Sequence, residues 1–168
     1  MPHEGKLINL YVSLLKMVKG LSKGVEESRK LREIVRDENQ KLIDEFSDYL
    51  REVKGLSERT VEDHAFNLRM LNHYLAGYES ARLEEATSDD VSFFMNDWYI
   101  RKAASRDETV HRMPVSLEKF FTFLSDEKGF DVALGEIEEV CSDRELFKER
   151  LREWMDPGVI DGWWTTPR

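Results

Sequence analysis

An all-α fold is what this sequence predicts, and three observations predict it. Apolar residues recur at three- and four-residue intervals over most of the chain. Ser or Thr followed three residues later by a carboxylate stands ahead of several of these runs, the pattern of a helix N-terminus. No stretch alternates apolar and polar residues convincingly enough to make a strand. Of 168 residues, 40% are apolar and 35% charged, with nine glycines in no tract and four prolines. That suffices for a real core beneath extensively charged helical faces.

The first element is expected over about Lys6 to Leu21, where Leu7, Tyr11, Leu14, Val18 and Leu21 are spaced 4, 3, 4, 3. Such spacing suits a helix packed on its own domain or one that pairs with a second helix. After Gly20 and Gly24 a second helical pattern begins near Glu26 and runs through Leu31, Ile34, Val35, Leu42, Phe46, Tyr49, Leu50 and Val53. Residues 36–41 lack an apolar member, so a break or a solvated stretch is expected there. Three regions follow: an N-terminal helical extension (1–40), a helical domain (41–129), and a C-terminal helix with a tail (130–168).

Gly55 ends the second pattern and Ser57 opens the next helix, a stop-start corner. That helix, about Glu58 to Ala76, carries Val61, Ala65, Leu68, Leu71 and Leu75, and Gly77 is a natural stop. Thr87 with Asp90 starts another, bearing Val91, Phe94, Met95 and Trp98. Ser105 with Glu108 precedes a run of Val110, Leu117, Phe120, Phe121 and Leu124, in which Pro114 predicts either a kink or a fresh start. Gly129 ends it. Ser142 with Glu145 opens a last helix to about Met155, and a tail ends in Trp163-Trp164.

The chemistry is sparse. One cysteine, Cys141, excludes a disulfide within the chain and fits a reducing cytoplasm. The histidines His3, His64, His73 and His111 show no metal-ligand spacing, no Gly-rich phosphate loop occurs, and no apolar run is long enough for a membrane span. No metal or cofactor is expected. Net charge is −9, unevenly spread. Residues 1–39 hold eight basic and six acidic side chains, residues 40–129 twelve and eighteen, and residues 130–168 five and ten. An acidic middle and tail repel a phosphate backbone at long range but permit a local basic patch.

Six pieces in order carry a resemblance. They are Phe46-Ser47-Asp48-Tyr49-Leu50, Gly55-Leu56-Ser57-Glu58-Arg59-Thr60-Val61, Asn67-Leu68-Arg69-Met70-Leu71, Ala86-Thr87-Ser88-Asp89-Asp90-Val91, Thr109-Val110-His111-Arg112, and Leu117 through Leu124. In this order and spacing they resemble the SAM-like, four-helix core-binding domain of tyrosine recombinases of the phage-integrase type. The resemblance implies a module that clamps duplex DNA, mostly through phosphates. The residues matching its contact positions are Ser57, Arg59 and Thr60 at the start of one helix, and Arg106, Thr109, Arg112 and Lys119 on or just before another.

Ser57 is expected to cap its helix in any case, and His64 to pack rather than bind phosphate. The departures are the acidity of residues 40–129, and Met113 and Glu118 where a basic residue is frequent. Only 39 residues follow Gly129, no His-x-x-Arg pattern occurs, and neither Tyr78 nor Tyr99 has the surrounding set of cations that a nucleophile on DNA needs. Recombinase catalysis is therefore not expected. The two readings are a non-catalytic DNA-associated protein, and a module that kept the fold for protein partners, reached through the N-terminal helices or the Trp163-Trp164 tail.

Overall fold

The computed structural model describes residues 3–79, 81–102 and 111–155, with side chains from residue 13 onward. The Ser105 capping box and the Trp163-Trp164 tail lie outside the described residues. Helix α1 (His3–Glu52) is a single 50-residue rod. The expected separation of Lys6–Leu21 from the next helix does not occur. Gly20 and Gly24 keep helical backbone, since only Gly55 and Gly129 have positive φ among the described glycines. Intrahelical pairs Lys23–Glu27 and Arg29–Glu26 flank that stretch. The helix is equally unbroken through residues 36–41. Asn39 is fully buried there and takes the place of an apolar residue on the inner face.

Helix α1 ends at Gly55, whose φ of 65° is the left-handed conformation glycine adopts without strain. Leu56 N–H reaches back to the Leu50 carbonyl at 3.1 Å and closes the end. Gly129, with φ 70°, ends α5 in the same way, and Phe130 N–H bonds the Leu124 carbonyl at 3.0 Å.

Helix α2 (Glu58–Tyr74) passes Gly77 without stopping, because a π turn, Leu75–Glu79, carries the helix on. Thr87 caps α3 (Ser88–Phe93) in a reciprocal box with Asp90. A second π turn, Phe94–Trp98, joins α3 to α4 (Tyr99–Lys102). Pro114 lies in the first turn of α5 (Met113–Asp126), where its missing N–H costs nothing, so it starts the helix rather than kinking it.

Beyond α5 the structure adds α6 (Leu134–Ser142), which the sequence pattern did not reveal. Helix α7 (Arg144–Met155) follows, with Asp143, not Ser142, as the capping side chain: its Oδ1 accepts from Leu146 N–H at 3.1 Å. Trp154, expected on the inner face of that helix, is 47% exposed.

One apolar core holds these pieces. It takes Ile43, Phe46 and Leu50 from α1, Leu68 and Leu71 from α2, and Phe94 and Met95 from the second π turn. Phe120, Phe121 and Leu124 come from α5, and Ile137, Cys141, Phe147 and Leu151 from α6 and α7. Phe46 meets Phe120 edge-on, with ring centres 5.3 Å apart. Core packing of α1 starts only at Val35. From residue 13 to residue 34 no side chain is buried, so this part of α1 projects from the body rather than packing on it. No strand occurs among the described residues.

Two buried polar clusters lock the helices in register. Asn39 Nδ2 donates to Asn72 Oδ1 at 3.0 Å, Asn72 Nδ2 donates to the Arg36 carbonyl at 3.0 Å, and Leu83 N–H donates to Asn39 Oδ1 at 3.0 Å. They tie α1, α2 and the Leu83–Glu85 turn together. The second cluster joins α2 to α5 and lies under the candidate site.

Candidate nucleic-acid interface

The corner between α1 and α2 places a helix N-terminus at the surface. Ser57 caps it, as expected: its Oγ accepts from Thr60 N–H at 3.3 Å and lies 2.9 Å from Thr60 Oγ1. Beside them, the N–H groups of the first turn have no carbonyl one turn back to bond, and the helix dipole adds partial positive charge. Glu58 occupies this turn but is engaged by Arg51, whose Nε and Nη2 donate to its two oxygens at 2.9 and 3.0 Å. Arg51 holds the Glu58 carboxyl below its usual range.

Helix α5 lies alongside α2. Ser116, fully buried, is the hinge of the contact. Its hydroxyl donates to the Arg112 carbonyl at 3.0 Å and accepts from Asn67 Nδ2 at 2.8 Å. With that single proton spent, its contact with His64 Nδ1 at 2.8 Å requires the imidazole proton on Nδ1. His64 is 4% exposed, so it packs, as its place on α2 implied. Burial lowers its pKa, and the charges of Lys119 and Arg112 lower it further, partly offset by Asp63. Both cations are therefore electrostatic neighbours of the α2–α5 seam.

The structure brings Ser57, Thr60, Arg59, Arg112 and Lys119 to this corner and seam. Arg106 and Thr109 lie outside the described residues. The cations differ in availability. Arg112 Nη1 is bound to Asp63 Oδ2 at 2.6 Å, so a carboxylate already shares its charge. Arg59 and Lys119 are exposed and make no ion pair among the described residues. Glu118, beside Lys119, faces Arg144 at 3.7 Å.

Sequence reasoning missed Lys54. Its ammonium sits 5.3 Å from the centre of the Tyr49 ring. With Lys119 it lines a groove between the end of α1 and α5, whose walls include Phe46, Tyr49, Thr122 and Phe123. Its one visible signal was adjacency to Gly55. Asp126 and Glu127 also border the groove, so its charge is mixed. Among the described residues no cluster of His, Cys, Asp and Glu is suited to a metal, and no helix is long and apolar enough to cross a membrane.

The helical body, the capped corner and the α2–α5 seam define a small, all-α, SAM-like module. The chain belongs to the family of the phage integrase N-terminal SAM-like domain, whose model matches residues 43–128, about half of the sequence. The match begins on α1 at Ile43, where the helix is already in the core, and ends beside Gly129. No solved structure matches the chain.

Proposed function

We propose that the protein is a non-catalytic, DNA-associated factor that lays the start of α2 and the α2–α5 seam against the phosphate backbone of duplex DNA. Family membership is the observation that carries this reading, and the geometry supports it. The Ser57 and Thr60 hydroxyls stand at a helix N-terminus, the ordinary seat of a phosphate. Arg59 belongs to the same first turn, Lys54 precedes it at the end of α1, and Arg112 and Lys119 lie along the α2–α5 seam. Arg106 and Thr109 remain candidates by resemblance. Residues 41–129 are the DNA-facing unit, 1–40 a helical extension and 130–168 a C-terminal helical region with a tail. A reducing cytoplasm suits the single, buried Cys141.

The test is fluorescence anisotropy with labelled duplex over a salt series. Four phosphate contacts give a slope of log affinity against log salt of about −3.6. Arg59→Ala or Lys119→Ala reduces its magnitude by roughly 1, with stability unchanged within about 0.5 kcal/mol. No binding even at low salt sinks the reading. A second reading, a protein-interaction module, is favoured by the net charge of −9 and by the apolar side chains that α1 exposes.

A further inference from the structure

We infer that the projecting part of α1 pairs with the same segment of a second copy in a parallel, two-stranded coiled coil. This inference rests on α1 alone, so a failure of DNA binding leaves it standing. Leu7, Tyr11, Leu14, Val18, Leu21 and Val25 repeat at spacings 4, 3, 4, 3, 4, which places Leu7, Leu14 and Leu21 at heptad position d and Tyr11, Val18 and Val25 at a. Leu at d with β-branched Val at a is the combination that favours two parallel strands. The whole stretch is helical, and from Leu14 on the seam is open: Leu14 is 47%, Val18 57%, Leu21 63% and Val25 67% exposed. The stripe stops as a free surface at Ser28 and Arg32, and the same face then enters the core at Val35.

Charge placement fits a helix partner of the same kind. Residues 5–25 contain four lysines and no acidic residue, in a chain of net charge −9. Lys6, Lys16, Lys19 and Lys23 all fall at heptad positions b, c or f, which face solvent in a two-stranded coil. No like charges therefore meet in the seam. Ile8, Leu10, Leu15 and Met17 flank it at e and g and widen it. Burial of such side chains removes about 60 Å² or more apiece. Leu14, Leu15, Met17, Val18, Leu21 and Val25 on two helices thus supply roughly 700 Å² or more, and the heptad pattern that continues N-terminally through Leu7 lengthens the seam toward the roughly 1,200 Å² at which stable interfaces begin.

Sedimentation equilibrium of the full chain, from micromolar concentrations upward, tests the inference. A dimer is expected that tightens with added salt, because the seam is uncharged while the acidic bodies repel each other. Leu14→Asp with Leu21→Asp is expected to give a monomer with the core melt unchanged, since neither residue touches the core. Leu14→Cys in the otherwise native chain is expected to crosslink to its counterpart on mild oxidation, the buried Cys141 staying silent. This keeps the test open if the aspartate variant misfolds. A chain that stays monomeric at all concentrations overturns the inference, as does one that is monomeric but pellets with vesicles of anionic phospholipid. A dimer that never crosslinks through Leu14→Cys overturns the parallel register.

Discussion

Arg112, the residue at the N-terminal boundary of α5, is held by Asp63 on α2, with Nη1 and Oδ2 2.6 Å apart. The pair spans the helix seam at the candidate phosphate site, and the Asp63 side chain is the more enclosed partner at 19% exposure, against 52% for Arg112. Such a pair contributes little to stability, about 0–1 kcal/mol. It does set how much positive charge the seam offers. Asp63→Asn frees the guanidinium and removes a local negative charge. Duplex affinity at low salt should rise several-fold, and the salt slope should steepen by about 1 as one more counterion is released. Anisotropy titrations at several salt concentrations check this. An affinity unchanged or weakened by Asp63→Asn would place the DNA surface away from this seam.

Beneath that pair, the burial of His64 makes stability depend on pH. The folded pKa of His64 is depressed below 6.5, first by burial, then by Lys119 and Arg112. The unfolded chain therefore takes up the proton more readily than the folded one. Stability is full above about pH 6.5 and declines as pH falls from there through the folded value. Melting temperatures measured between pH 7.5 and 5.5 should fall, and the decline should flatten in His64→Gln. Ser116→Ala strands Asn67 and His64 without their shared acceptor and should cost about 1–3 kcal/mol at neutral pH.

The corner was legible because its chemistry is local. Gly55, Ser57 and Thr60 lie within six residues of one another, and cap and left-handed turn follow from residue type alone. Thr87 with Asp90 was legible for the same reason. The Asp63–Arg112 pair and the Asn39–Asn72 bond were not, since each joins residues 33 or more apart in sequence and only packing brings them together. Continuity of α1 was hidden because two glycines and a polar run read locally as breaks. Helix α6 was hidden because it starts from Ala133 with no capping side chain. Of the candidate cations, residue type indicated where charge could lie. It could not tell that Arg112 is neutralised while Lys119 is free of ion pairs among the described residues.

Glycine substitutions separate backbone strain from packing. At Gly55 an added Cβ meets open space, so the penalty of Gly55→Ala is the left-handed φ of 65° alone. It should destabilise by about 1–2 kcal/mol, with the melting midpoint dropping roughly 2–4 °C per kcal/mol at this chain length. Gly135, in α6, also faces open space but has no positive φ. Gly135→Ala should therefore stabilise, by up to about 1 kcal/mol. Thermal melts of the two variants side by side should move in opposite directions. A Gly55→Ala variant as stable as the parent would refute the left-handed ending of α1.

Cys141 reports on whether α6 is part of the core. Its thiol is fully buried, and its pKa is pushed up to about 12, chiefly by burial and then by the charge of Glu118. At pH 8 the thiolate that reacts with disulfide reagents is almost absent, and the reagent has no path to the sulfur. A folded chain should therefore resist labelling by an aromatic disulfide. In a denaturant series, labelling should rise together with the loss of helical circular dichroism if α6 unfolds with the Phe46–Phe120 core. Labelling that precedes the loss of helicity would mean that α6 opens on its own. Rapid labelling under native conditions would contradict the burial of Cys141 in the core that also holds Ile137 and Phe121.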